Sequence, residues 1–377
     1  MSLYRCALRK QALTPFRRSF SASPRALADH VRIIEVGPRD GLQNEKKSIP
    51  VETKIELVKR LAKTGLTTIE AGSFVAPKWV PQMAASDKVL SSILASPPSS
   101  PTPITYQWLL PNSKGLDNYF KIMNTSSSAP DGYPTPPPSP KSDAGPALNT
   151  SPQNPNESTA PNQSHEVSIF MAATETFSKK NTNCTVQESL DRFAPLIKAS
   201  KEAGYPVRAY ISVALGCPFE GPDVDPHRVA EIATSLMEMG ADELSVADTT
   251  GMGTAPRTRK LLQTLKEAGI RNEDVAMHFH DTFGQALINT MVSLDHGIRA
   301  FDSAVGGLGG CPYSPGATGN VATEDLVYAL HSLGAKTGVD LEECSRIGEW
   351  ITGEIGKGNA SSAGRATLAR LRREGSA

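Results

Sequence analysis

Cysteine is scarce and unpaired in this sequence: five residues in 377, with no C-x-x-C pair anywhere. That spacing excludes a disulfide framework and a structural zinc site of the cysteine type, so the thiols are read as reduced. Net charge is also lacking, because 39 basic residues balance 39 acidic ones, and with it goes the electrostatic footprint of a nucleic-acid partner. No uninterrupted apolar run approaches the roughly 20 residues of a bilayer span, so no membrane partner is expected. No G-x-G-x-x-G follows the first β-branched run, and no G-K-[ST] closes the glycine-rich stretch after residue 305. Neither a dinucleotide crevice nor a phosphate loop is therefore signalled. Acids are missing from the first 28 residues, where Arg5, Arg9, Lys10, Arg17, Arg18 and Arg25 stand among Ser and Ala before Asp29. This composition predicts a mitochondrial transit peptide over 1–28, and residence in the mitochondrial matrix. A basic nucleic-acid arm is the alternative, and the small residues filling the gaps weigh against it.

What is present is a repeated grammar, a short β-branched run, a polar cluster, then a segment of helical period. Strands are predicted over 31–36, 67–71, 104–110, 167–172, 207–213, 243–247, 275–279 and 301–305. Helices follow near 51–63, 83–94, 116–122, 186–203, 226–239, from about 256, then 285–296 and 323–333, with an accessory segment at 341–355. Eight such units close a parallel barrel, so the fold class is α/β, a (β/α)8 TIM barrel over 29–377 with short C-terminal accessory helices. A doubly wound open sheet is the alternative, disfavoured by the even spacing and the missing fingerprint. The grammar breaks once, at 124–165, where Ser, Pro, Asn and Thr offer almost nothing to bury; a disordered insertion between the third helix and the fourth strand is expected.

The chemistry of the chain gathers at V-A-M-H-F-H-D, residues 275–281. On a strand, alternate side chains share a face, so His278 and His280 project together about 7 Å apart. Active sites of such barrels lie at the C-terminal ends of the strands. Those ends carry Arg39, Asp40 and Gln43 after strand one, Glu70 and Ser73 after strand two, Thr174 and Glu175 after strand four, Asp248 after strand six and Asp281 after strand seven. Two imidazoles and a carboxylate suit a divalent cation, and Asp40 is the acid within reach if strands one and seven both face the barrel mouth. Asn320 could add an amide oxygen. Such a set tolerates Mg2+ or Mn2+, and it equally describes an iron oxygenase site; ligation alone does not choose.

The stretches E-V-G-P-R-D-G-L-Q-N-E, I-E-A-G-S-F-V-A-P-K-W-V-P-Q-M, H-F-H-D-T-F-G-Q-A and G-G-L-G-G-C-P-Y-S-P-G-A-T-G-N together resemble the 3-hydroxy-3-methylglutaryl-CoA lyases. The R-D-G and H-x-H elements are shared with the isopropylmalate and homocitrate synthases, whereas the glycine loop carrying Cys311 is the discriminating piece. The resemblance implies a metal-dependent cleavage of a CoA thioester into acetoacetate and acetyl-CoA, and a homodimer. It implies Asp40, His278, His280 and Asn320 as ligands of Mg2+ or Mn2+, and Arg39 as the charge opposite a developing enolate. Asp248 is then the group handling the hydroxyl proton, Cys311 a proton donor on a glycine-flanked loop, and Glu70 a catalytic or positioning acid. Gln43, Ser73 and Glu175 are substrate-contact candidates beside Arg39. Cys217, in L-G-C-P-F-E-G, is read as structural. Two competing functions are a condensing acyltransferase of the synthase branch and a catalytically inactive barrel that binds.

Overall fold

The computed structural model of the chain describes residues 30–127, 163–310 and 319–375. Eight strands follow one another around a closed barrel: β1 (Arg32–Glu35), β2 (Thr68–Ser73), β3 (Ile104–Leu109), β4 (Gln163–Ala172), β5 (Val207–Ser212), β6 (Glu243–Asp248), β7 (Val275–Phe279) and β8 (Ala300–Ser303). Every neighbouring pair is parallel, and closure is made by β1 against β8, with Ile33 opposite Phe301 and Ile34 opposite Asp302. The helices around it are α1 (Val51–Leu61), α2 (Ser86–Ala95), α3 (Ser113–Ser127), α4 (Glu175–Thr182), α5 (Val186–Glu202), α6 (Pro226–Glu238), α7 (Ala255–Glu267), α8 (Ala286–Asp295), α9 (Thr323–Ser332), α10 (Leu341–Glu354) and α11 (Ser362–Arg373).

The hydrophobic core lies between strands and helices. Val207, Ala209 and Ile211 on β5, and Leu244 and Val246 on β6, are fully buried and alternate with polar residues. α5 shows why its segment is helical: Val186, Leu190, Phe193, Leu196 and Ile197 form one buried stripe. It opens on a capping box, in which Thr185 accepts from the Glu188 amide and Glu188 accepts from the Thr185 amide. Each large apolar side chain so buried contributes about 1.5–3 kcal/mol.

The barrel interior is polar. Arg208 of β5 reaches Asp302 of β8 (2.6 Å), and Tyr210 of β5 and Ser168 of β4 both reach Glu70 of β2 (2.9 Å each). Bonds between non-adjacent strands must cross the lumen, so these side chains fill it where branched aliphatics are the usual filling. Their partners identify the inward face of each strand.

Four expectations shift at their edges. α3 extends to Ser127 and β4 begins at Gln163, so both ends of the tract expected at 124–165 belong to regular elements, and 128–162 lies outside the described residues. The polar segment after β4 coils into α4, which buries only Phe177 and the small Ser178; it stops at Asn183, in the left-handed region at φ 52°. β8 ends at Ser303 rather than 305, because Val305–Gly307 turns sharply through Gly306 and Gly307, at φ 66° and 65°. The C-terminal segment makes two helices: α10 is capped by Asp340 and α11 by Ser361. The leader at 1–28 lies outside the described residues.

Candidate metal centre and active site

G-P-R-D-G folds into one wide turn directly after β1, with the amides of Arg39 and Gly41 both donating to the Val36 carbonyl (3.2 and 3.1 Å). That turn points Asp40 into the barrel mouth. His278 stands near the end of β7 and His280 just past it. A returning strand-like segment runs beside them, the Asp281 amide donating to the Gly319 carbonyl (2.9 Å) and Val321 to Phe279 (3.1 Å), which sets Asn320 opposite His280. The same segment passes close to the turn after β8, and glycine is required there, since a Cβ at Gly319 would lie 2.6 Å from the Gly309 carbonyl carbon.

One ligand atom from each of Asp40, His278 and His280 lies within 4.8 Å of the others. The Nε2 atoms of His278 and His280 stand 3.9 and 4.0 Å from Asp40 Oδ2. Such gaps are too long for hydrogen bonds and suit three donors around a common cation. Asn320 donates to Asp40 Oδ2 (2.8 Å) and to the Leu308 carbonyl (3.1 Å), while its Oδ1 is buried with no partner among the described residues, an acceptor left for a ligand. The donor set and this orphaned oxygen fit a divalent cation. Burial, then the neighbouring His278, pushes His280 down to about 4, so its ring is neutral and able to ligate. Burial alone would raise Asp40, but Arg39, the two histidines and the Asn320 amide outweigh it and hold the carboxyl below its ordinary value.

Arg39 is buried between two acids. Its Nε and Nη2 donate to Glu70 Oε2 (2.7 and 2.6 Å), its Nη1 to Asp40 Oδ1 (2.8 Å), and its guanidinium lies 5.1 Å from the centre of the Tyr210 ring. Although burial works against the charge, Glu70 and Asp40 hold Arg39 protonated. Glu70 also accepts from Ser168 and Tyr210, so it anchors the arginine from below. Asp248 takes its Gly253 amide bond on Oδ2 (2.9 Å), while Oδ1 is buried without a partner among the described residues. It does not cap α7, whose first turn follows Thr254. Burial, only partly offset by the Gly253 and Gly251 amides, raises Asp248 to about 7.

The remaining expected contacts have defined partners. Gln43 donates to Asp40 Oδ1 (2.6 Å) and so braces a candidate ligand. Ser73 is buried, accepts from the Val75 amide (3.3 Å) and lines a cavity of about 530 Å3 beside the mouth, shared with Met83, Asn118 and Lys121. Glu175 accepts from the Val186 amide (3.3 Å) and pairs with Arg228 (3.8 Å), which directs it toward α5 and α6. Thr174 contacts the buried Cys217 sulfur (3.3 Å). Cys311 lies outside the described residues; just before it, the Gly310 carbonyl accepts from Asn44 (2.7 Å), next to the Arg39–Asp40 turn.

Sequence reasoning passed over the layer beneath the site. Arg208, Tyr210, Ser245 and Asp302 are all buried in the lumen, and Asp302 Oδ2 lies 3.0 Å from His278 Nδ1. Burial would raise Asp302, but Arg208 and then His278 hold it well below the carboxylate range. The available signal was a lone charge inside each of two short strand patterns, V-R-A-Y-I and A-F-D-S.

Residues 30–125 and 151–351 match the model of the HMGL-like family. A 3-hydroxy-3-isohexenylglutaryl-CoA/hydroxy-methylglutaryl-CoA lyase of Pseudomonas aeruginosa is 44% identical over 344 residues, spanning 91% of this chain and 99% of that protein. The mitochondrial hydroxymethylglutaryl-CoA lyase of Mus musculus is 42% identical across 94% of this chain and 95% of its own length. The crystal structure of hydroxymethylglutaryl-CoA lyase from Pseudomonas aeruginosa superposes with a TM-score of 0.76 at 43% identity, covering 92% of this chain and 99% of that one. With the family model matched over most of the barrel and such relatives along nearly its whole length, the chain belongs to the HMGL-like family.

Proposed function

We propose that the protein is a lyase that cleaves 3-hydroxy-3-methylglutaryl-CoA into acetoacetate and acetyl-CoA, using Mg2+ or Mn2+. The observation that carries this reading is the Asp40, His278 and His280 group at the barrel mouth, with the guanidinium of Arg39 beside it. A divalent cation held there, with the Asn320 amide oxygen as a further ligand, would supply the Lewis acidity that lowers the pKa of the substrate hydroxyl. Asp248, raised to about 7 and with one oxygen unpartnered among the described residues, accepts the proton of the tertiary hydroxyl. The C–C bond then breaks as the ketone of acetoacetate forms, and its electron pair passes to the thioester as an enolate. Arg39, held by Glu70 and Asp40, faces that oxygen with a permanent charge. Protonation of the enolate carbon yields acetyl-CoA; Cys311 is assigned this step on the resemblance of its loop. Gln43 and Ser73 serve as outer contacts, whereas Glu175, turned toward α5 and α6, is left out of the site.

Incubating purified protein with 3-hydroxy-3-methylglutaryl-CoA should release acetoacetate, and EDTA should abolish the release until Mg2+ or Mn2+ is restored. No acetoacetate in either case, or condensation of acetyl-CoA with a 2-oxo acid, overturns the assignment. We place the enzyme in the mitochondrial matrix on the composition of 1–28, and a reporter fused to that segment that stays cytosolic removes this placement. Among the described residues no helix is long and apolar enough to cross a membrane. A homodimer is the proposed assembly, read by light scattering.

A further inference from the structure

We propose that Asp302 is a positioning residue that sets the ring tautomer of His278, directing the N–H of the neutral ring to Nδ1 so that the Nε2 lone pair faces a cation shared with Asp40 and His280. The inference rests on the metal-site part of the functional reading and on no part of its substrate.

Asp302 and His278 are register partners in the β7–β8 pairing, so the sheet itself brings them together. The Asp302 side chain is fully buried, and each of its oxygens is engaged. Oδ1 accepts from Arg208 Nη2 (2.6 Å); Oδ2 accepts from Ser245 Oγ (2.9 Å) and lies 3.0 Å from His278 Nδ1. Arg208 is fixed in turn, donating through Nε to Glu243 (2.7 Å) and through Nη1 to Tyr210 Oη (2.9 Å). A carboxylate ion-paired to a buried guanidinium can only accept, so His278 Nδ1 must be the donor. A neutral imidazole has one N–H, and placing it on Nδ1 leaves a lone pair on Nε2. Nε2 is the atom that faces Asp40 Oδ2, at 3.9 Å. The second histidine is held differently: His280 Nδ1 is buried and has no partner among the described residues. The chain thus builds an oriented ligand at 278, as outer-shell carboxylates do in metal sites, and leaves the ring proton of 280 unassigned.

Asp302→Asn tests this with almost no change of shape. An amide has one acceptor and one donor end, and Arg208 claims the acceptor, because turning the NH2 toward a buried guanidinium would oppose two donors. The NH2 then faces His278 Nδ1, which must become an acceptor, and the ring proton moves to Nε2, where it blocks ligation. Titration of the metal-free protein with Mn2+ by calorimetry should show affinity falling about 10–100-fold in Asp302→Asn. Ser245→Ala, which removes the other donor to the same oxygen and leaves the tautomer alone, should stay within about twofold of the native chain on that scale. Ring 15N spectra of histidine-labelled protein should report Nδ1–H for His278 in the native chain and Nε2–H in the variant. Native Mn2+ affinity in Asp302→Asn overturns the proposal. So does Nε2–H at His278 in the native protein, which can be read even if the variant fails to fold. Neither readout involves acyl-CoA, so a chain that gave both expected results yet released no acetoacetate would overturn the substrate assignment and leave this inference standing.

Discussion

At Arg39 one guanidinium serves Glu70 and Asp40 together, and its removal should be felt twice. On the proposed role of Arg39, Arg39→Met would deprive the enolate of its charge partner, and kcat should fall by about 10^3. It also leaves Glu70 buried with hydroxyl donors alone, and urea unfolding should report a loss of about 3–5 kcal/mol. Unchanged stability would mean that Ser168 and Tyr210 suffice to hold that carboxylate. Asp40→Ala removes a ligand instead, and saturable Mn2+ binding should disappear together with turnover; native affinity in this variant sinks the ligand assignment. On its proposed role, Asp248 would set the pH dependence. It must be ionised to accept a proton, so kcat/KM should rise as pH climbs through about 7. The acid limb belongs to Asp248 only if Asp248→Asn, with much lower activity, no longer shows it.

Among the elements, the turn after β8 is the one on which the site leans, and two buried acids hold it, one at the end of β1 and one at the start of α9. Glu35 Oε1 accepts from the amides of Gly37 (2.8 Å) and Val305 (2.9 Å), joining the turn that carries Arg39 to the one that leads toward Asn320. Glu324 at the start of α9 takes the Gly306 amide on both oxygens (3.0 and 2.9 Å), under the cover of α10. Gly348 makes room for it, because a Cβ at that position would overlap Glu324 Oε1. Gly348→Ala should therefore lower Tm and activity together. Burial raises Glu324 from 4.5 to about 8. Its contribution to stability is thus full below about 4.5 and is lost as pH rises toward about 8, since the unfolded chain sheds its proton first. Glu324→Gln carries no such proton, so the variant should gain on the native chain in thermal melts across that interval. Parallel curves would mean that this carboxyl is ionised in the fold.

For the whole molecule, the closed barrel separates a chemical face from a structural one. Asp40, His278 and Asn320 lie where strands end; Ser127, closing α3, and Gln163, opening β4, lie where helices return. A segment leaving and re-entering there starts on the face opposite the metal group. Replacing 128–162 with a short Gly-Ser linker should leave kcat and KM within about twofold, since loop length changes closure entropy only slowly. A tenfold loss with the fold intact would show that the segment reaches the mouth.

Local patterns determined a good deal by themselves. Eight βα units, their order and the H-x-H pair were legible because apolar periodicity and turn chemistry act over a few residues, and strand alternation alone puts His278 and His280 on one side. Strand and helix edges were readable to within a few residues, with α4 escaping notice because it buries so little. Other features were decided only by closure of the barrel. Asp40 meets the histidines because β1 and β7 both flank β8. Asp302 meets His278 through strand register, and Arg208 meets Asp302 across the lumen, 94 residues apart. Gln43 and Ser73 look available as isolated letters, yet near neighbours in the chain engage them, Asp40 and the Val75 amide. Partnership between distant polar groups is a property of three-dimensional register, and no window along the chain contains it.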